Sequence, residues 1–158
     1  MIETGEMAPD AALQKPDGTT ARLSDYRGRP LVLYFYPKDD TTGCTAEARE
    51  FSALADDFER AGAQVLGVSR DPPKSHAKFA AKYDLAVPLA SDPDGSVTEA
   101  FGVWVEKSMY GRKYMGIQRA TFLIDSDGRV ARVWPTVRVA GHAAEALEAI
   151  RSLGRSAG

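Results

Sequence analysis

Cysteine is almost absent from this chain: Cys44 is the only thiol in 158 residues. That count excludes an internal disulfide and removes the C-x-x-C pair on which thioredoxin-like dithiol exchangers rely. Histidine is nearly as scarce, with His76 and His142 alone, so the usual Cys/His zinc site cannot be assembled and no metal or cofactor is expected. No apolar run approaches the roughly 20 residues of a membrane span. The amino terminus, Met1-Ile-Glu-Thr-Gly-Glu6, is acidic and lacks the apolar stretch of a secretion signal. Neither sign of charge forms a block; 20 basic and 22 acidic side chains leave a net charge of -2, which gives nucleic acid or an anionic membrane little to hold. A cytoplasmic protein is expected. Ordinary globular composition, with no linker, repeat or low-complexity tract, predicts one domain over residues 1–158.

What is present centres on Pro37-Lys-Asp-Asp-Thr41-Thr-Gly-Cys44. The apolar run Leu31 to Tyr36 reads as a strand covered on both faces, and it stops at Pro37, which has no backbone donor for a ladder. Asp39, Asp40, Thr41, Thr42 and Gly43 supply turn and cap chemistry, so Cys44 falls in the first turn of the helix that follows. Free backbone N–H groups at that end favour a thiolate. A lone buried cysteine elsewhere would be an inert small hydrophobe. Here its position makes a reactive thiol the better reading.

The remaining chain alternates strands and helices. A small amino-terminal hairpin is expected around Asp17-Gly18. From Cys44, the stripe Ala48, Phe51, Ala55 and Phe58 predicts one amphipathic helix with the thiol on its core side, ending near Gly62. Gln64 to Ser69 is the next strand of a β-α-β unit, which sets the thiol at the carboxyl end of a parallel strand, where open α/β sheets bind ligands. A helix over about 74–83 follows, then a short strand at 87–91, a turn at Asp92-Pro-Asp-Gly95 and a brief helix at 96–101. Asp92 and Asp94 read as turn formers, His76 as a packing residue without a tie to Cys44, and His142 as a cap or surface residue. Residues 102–118, with Trp104, Tyr110 and Tyr114, read as irregular, either a binding surface or a loop packed on its own domain. Arg119 to Ile124 and Val130 to Trp134 flank Asp125-Ser-Asp-Gly128 as a hairpin, and a last helix spans about 141–153. The sum is an α/β sandwich with a mixed sheet.

Phe35-Tyr-Pro-Lys-Asp-Asp-Thr-Thr-Gly-Cys-Thr-Ala-Glu47 resembles the active-site loop of peroxiredoxins. Pro37, Thr41 and Cys44 stand at the fixed positions of that family's P-x-x-x-T-x-x-C signature, and the surrounding residues resemble its bacterioferritin comigratory protein, or PrxQ, subgroup. The likeness runs through Val65 to Ser69, Lys74-Ser-His76, Phe101 to Trp104 and Gly116 to Asp125. It implies a thioredoxin-like fold with a mixed central sheet flanked by helices, and reduction of hydroperoxides. In such a reaction the Cys44 thiolate attacks a peroxide oxygen and becomes a sulfenic acid. By the resemblance Thr41 orients the peroxide, Arg119 supplies a cation and Pro37 shields the pocket. The lesser alternative for Thr41 is a helix cap, and for Arg119 a solvated charge at a strand end. Glu47, as a first-turn acid, complements the helix dipole and is left out of the catalytic set.

Two departures from the subgroup stand out. Thr42 replaces the usual proline before Gly43, and the positions at which relatives carry a second, resolving cysteine are Arg49 and Ala80. A one-cysteine cycle is therefore expected, with thioredoxin, or glutathione with glutaredoxin, as external reductant, in a monomer or weak dimer. The competing expectation is a peroxide sensor that passes oxidation to a partner protein by mixed disulfide.

Overall fold

The computed structural model describes residues 1–157, with side chains through residue 154. Strands β1 (Ala12–Gln14) and β2 (Thr20–Arg22) form the expected amino-terminal hairpin, followed by a 3-10 turn at Leu23–Tyr26. Then come β3 (Leu31–Phe35), α1 (Thr42–Ala53), α2 (Ala55–Arg60), β4 (Gln64–Ser69), α3 (Pro73–Tyr83), β5 (Leu89–Ser91) and α4 (Ser96–Ala100). The carboxyl half holds β6 (Trp104–Met109), β7 (Arg112–Ile117), β8 (Ala120–Ile124), β9 (Val130–Trp134) and α5 (His142–Ala157). Seven strands make one sheet in the order β2-β1-β5-β4-β3-β8-β9. Strands β3, β4 and β5 are parallel, whereas β8 runs antiparallel to β3, and β1 to β5, so the sheet is mixed as expected.

Strand β3 is buried along its whole length because the sheet is covered on both faces. Val32, Tyr34 and Tyr36 point into one core with Cys44, Ala48 and Phe51 of α1, Phe58 of α2, Phe79 of α3, and Ala146, Leu147 and Ile150 of α5. Leu31, Leu33 and Phe35 alternate into the other, with Val97 of α4, Phe101, Phe122 and the hairpin-base residues Val103 and Ile117. The period-2 alternation of a strand thus places the cysteine's neighbours on one side of the sheet only. No helix among the described residues is long and apolar enough to cross a membrane.

Two expectations are corrected. The helix after Cys44 is not continuous: the chain leaves helical dihedrals at Leu54 (φ -101°, ψ 8°), beside Ser52, whose hydroxyl accepts from the backbone N–H groups of Ala86 and Val87. Phe51 and Phe58 are both buried nevertheless. Residues 104–117 are not irregular but a six-pair antiparallel hairpin, turned by Tyr110 and Gly111 with positive φ at both. Mirror-image two-residue turns need that geometry at both positions. Trp104 packs on its own domain, with the Arg70 guanidinium 3.4 Å above its ring, while Tyr110 is fully exposed.

Gly67 of β4 lies opposite Tyr34 of β3, and a β-carbon there would come within 2.5 Å of the tyrosine ring. The ring is held on its other side by stacking on Phe51, with centroids 4.6 Å apart. A Gly67→Ala variant is expected to lose about 1–3 kcal/mol of stability by overpacking. A chemical denaturation midpoint measures the loss.

Candidate active site

The site begins where β3 ends. The Tyr36 N–H still donates to the Val68 carbonyl, but Pro37 offers no donor and the chain leaves the sheet. Asp40 turns it with a left-handed φ of 57°. Thr41 takes the N-cap position of α1 in extended geometry (φ -95°, ψ 159°), and its carbonyl accepts the Thr45 N–H at 2.8 Å. Its hydroxyl makes no cap bond to the helix. It donates instead to the Lys38 carbonyl at 2.8 Å, which ties the loop to itself and leaves the first N–H groups of α1 without a side-chain partner from Thr41. Cys44 is the third residue of the helix and only 1% exposed.

Arg119 reaches that sulfur across 75 residues because of sheet register. Strand β8 runs antiparallel to β3 and pairs Ala120 with Phe35, so the residue just before β8 stands beside the end of β3. Its Nη2 lies 3.3 Å from the Cys44 Sγ, and its Nη1 donates to Glu47 Oε1 at 2.7 Å. Gly43 makes room: a β-carbon there would lie 3.1 Å from the same Nη2. Burial disfavours a charged guanidinium, but the neighbouring Glu47 and Cys44 outweigh it and hold Arg119 firmly in its cationic form. Burial also pushes the Glu47 carboxyl up to about 7, against the pull of Arg119, and its Oε2 has no hydrogen-bond partner.

The structure thus brings Cys44 and Arg119 into contact, and the picture of Arg119 as a solvated strand-end charge does not hold. Thr41 and Pro37 lie on the exposed loop that leads into Cys44. Pro37 lines a groove of about 460 Å³ with Lys38, Trp104, Lys107 and Met115. Burial and the Arg119 charge lower the Lys107 pKa while Cys44 opposes them, so this groove borders the site electrostatically. Glu47, read from the sequence as complementing the helix dipole and left out of the catalytic set, bonds Arg119 beside the sulfur. Its spacing of three from Cys44 on the core side of α1 was the available signal. Arg49 is exposed and Ala80 half-buried.

The reading of His142 as a cap or surface residue is corrected, and His76, read as a packing residue, is more fully enclosed than that reading implied. His142 is buried, with Nε2 2.8 Å from the Thr121 hydroxyl, and burial lowers its pKa. His76 is wholly buried and bonded to Asp39 of the loop at 2.8 Å. Asp92, read as a turn former, is buried and accepts from the N–H groups of Val97 and Thr98 in the first turn of α4. No cluster of potential metal ligands occurs among the described residues.

A mixed sheet whose central parallel strand hands over to a helix carrying a cysteine in its first turn defines the thioredoxin-like class. The chain matches the AhpC/TSA family over residues 4–133 and belongs to it, as a peroxiredoxin of the bacterioferritin comigratory protein, or PrxQ, subgroup. It is 45% identical over 152 residues to the peroxiredoxin Bcp of Bacillus subtilis, across 96% of this chain and 97% of that protein. To the Xanthomonas campestris peroxiredoxin Bcp it is 48% identical over 143 residues, across 90% and 89%. Among solved structures, a cysteine-to-serine variant of Xylella fastidiosa PrxQ superposes with a TM-score of 0.92 at 42% identity, covering 98% of both chains. The Xanthomonas campestris bacterioferritin comigratory protein, solved as trapped intermediate and ligand complexes bearing on its alkyl peroxide reduction, gives 0.88 at 45%, covering 95% of this chain and 98% of that one. A Xanthomonas campestris peroxiredoxin Q, 44–45% identical to this chain, is also solved as serine variants at two different cysteines. At the spacing between them, counted from Cys44, this chain has Ala80.

Because the folded-state Glu47 binds its proton up to about pH 7 while an unfolded glutamate releases it near 4.5, the native state holds the extra proton between those values. Stability contributed by this group therefore falls as pH rises from about 4.5 to 7. Glu47→Gln is expected to remove that slope, an effect of up to roughly 3 kcal/mol. Denaturation curves of both proteins across this range provide the measurement.

Proposed function

We propose that this chain is a thiol-dependent peroxidase, reducing hydrogen peroxide and organic hydroperoxides through a sulfenic acid on Cys44. The observation that carries the reading is the Arg119 Nη2 lying 3.3 Å from the only sulfur nucleophile in the chain. A guanidinium so placed stabilises negative charge on the reacting atoms. The thiolate attacks one peroxide oxygen in line with that bond. The S–O bond forms as the O–O bond breaks, and the leaving oxygen takes the electron pair and a proton to become water or an alcohol. Charge moves from sulfur to the leaving oxygen. A cation fixed by Glu47 and the free N–H groups of the α1 terminus meet that charge without having to reorganise. In this reading Thr41 orients the peroxide through its hydroxyl and Pro37 keeps water off one side of the pocket. The alkyl peroxide reduction studied in the Xanthomonas relative supports an organic substrate here.

The second half of the cycle runs with one cysteine. With Ala80 and Arg49 where a resolving thiol would stand, an external dithiol such as thioredoxin attacks the sulfenic sulfur, expels water and then closes its own disulfide, returning the Cys44 thiol. Glutathione with glutaredoxin is the other donor system to compare. No cofactor enters either half.

Recombinant protein supplied with hydrogen peroxide, thioredoxin, thioredoxin reductase and NADPH is expected to sustain NADPH loss, and Cys44→Ser to abolish it. One stoichiometric oxidation without turnover under either donor system would make the protein a peroxide sensor instead. Arg119→Ala is expected to slow Cys44 oxidation by about 10²–10³-fold while the domain stays folded. An unchanged second-order rate constant would remove Arg119 from the reaction.

A further inference from the structure

Two consecutive aspartates fasten the active-site loop to α3. Asp40 accepts from the Lys82 ammonium at 2.7 Å and from the Tyr83 hydroxyl at 2.5 Å, at the far end of that helix. Asp39 engages its first turn, and this contact is buried: Asp39 is 6% exposed and His76 not at all. The Asp39 carboxylate accepts from the Tyr36 hydroxyl at 2.5 Å, the Ser75 hydroxyl at 2.7 Å and His76 Nδ1 at 2.8 Å. The Asp39 N–H donates to Asp71 at 2.9 Å.

The ring's protons can be counted. His76 Nε2 lies 3.0 Å from the Ala90 carbonyl, which only accepts, so Nε2 carries a hydrogen. Nδ1 faces a carboxylate whose two oxygens lie 3.0 and 2.8 Å away. A bare nitrogen there would set lone pair against lone pair, so one further proton lies between ring and carboxyl and the pair is neutral overall. Burial raises the Asp39 pKa, yet the bonds from His76, Ser75 and Tyr36 outweigh it and hold the carboxyl below its ordinary value.

We propose that His76 is a positioning residue for peroxide reduction: through Asp39 it sets the course of residues 37–41, and with them the Thr41 hydroxyl and the first turn of α1 that carries Cys44. The inference rests on the peroxidase reading above. Its physical basis is that Asp39 stands two residues before Thr41 and five before Cys44, with no secondary structure to absorb a shift until α1 begins. Removing one partner leaves a buried group unpaired, which the exposed loop relieves by moving. A displacement of about 1 Å at a reacting centre costs up to about 10²-fold in rate.

The test follows the lone thiol by mass spectrometry as hydrogen peroxide oxidises it, with sulfenic acid trapped by dimedone. His76→Phe, which keeps a ring but loses both nitrogens, is expected to react at least about tenfold more slowly than the parent, and so is Asp39→Leu. Asp39→Asn should restore the rate to within about threefold, because its amide can donate to a neutral Nδ1 and still accept from Tyr36. Ile150→Val on α5 lowers stability without touching the loop and should react like the parent. Folded His76→Phe and Asp39→Leu proteins reacting within about twofold of the parent would overturn the inference, as would an equal slowing in Ile150→Val. Should His76→Phe not fold, the half-buried Ser75→Ala carries the question, with slowing expected and an unchanged rate overturning. A parent that fails to react with peroxide overturns the peroxidase reading and this inference together; a reactive parent matched by its variants overturns this one alone.

Discussion

A guanidinium that is only 18% exposed is costly to bury unless acceptors lie against it, and the rest of the site follows from meeting that demand. Glu47 lies against one nitrogen and the Cys44 sulfur against another. Each neighbour has its own requirement. The carboxylate lies on the core side of α1, one turn after the cysteine, and a side chain on the residue before the cysteine would crowd the guanidinium. The antiparallel register of β8 on β3 then delivers the arginine to the place where β3 gives out. Long-range sheet pairing and a local helix start converge on one sulfur atom.

The loop between them has no strand or helix geometry of its own, yet its course is closely determined. Pro37 releases it from the sheet, a left-handed Asp40 turns it, and the carboxylates of Asp39 and Asp40 are held by opposite ends of α3. Hydrogen bonds to side chains take the place of a ladder. The tyrosine at the end of β3 joins the same network through its hydroxyl, so sheet, loop and helix share one buried carboxylate.

The sequence revealed the scaffold wherever burial is dictated locally. Strand β4 was expected at Gln64 to Ser69 and lies there, because an apolar run between Gly62 and Asp71 has few alternatives. The β6–β7 hairpin escaped notice since Glu106, Arg112 and Lys113 leave its strands wet on much of their surface, and Tyr110-Gly111 replaces the usual Asn-Gly turn. The approach of Arg119 to Cys44 was legible from a motif and its resemblance. The burial of Glu47, His76 and His142 was not. What buries them comes from elsewhere in the chain: Arg119 lies 72 residues from Glu47, Asp39 37 from His76, and Thr121 21 from His142. Local spacing carries no record of those partners.

The near-complete covering of the Cys44 sulfur makes the fold a sieve. A peroxide is a small, end-on molecule and needs only a gap, whereas the thiol of another protein arrives on a backbone that has bulk. In the proposed cycle, oxidation can then take place in the closed protein, whereas reduction by a protein thiol requires the sulfur to become reachable.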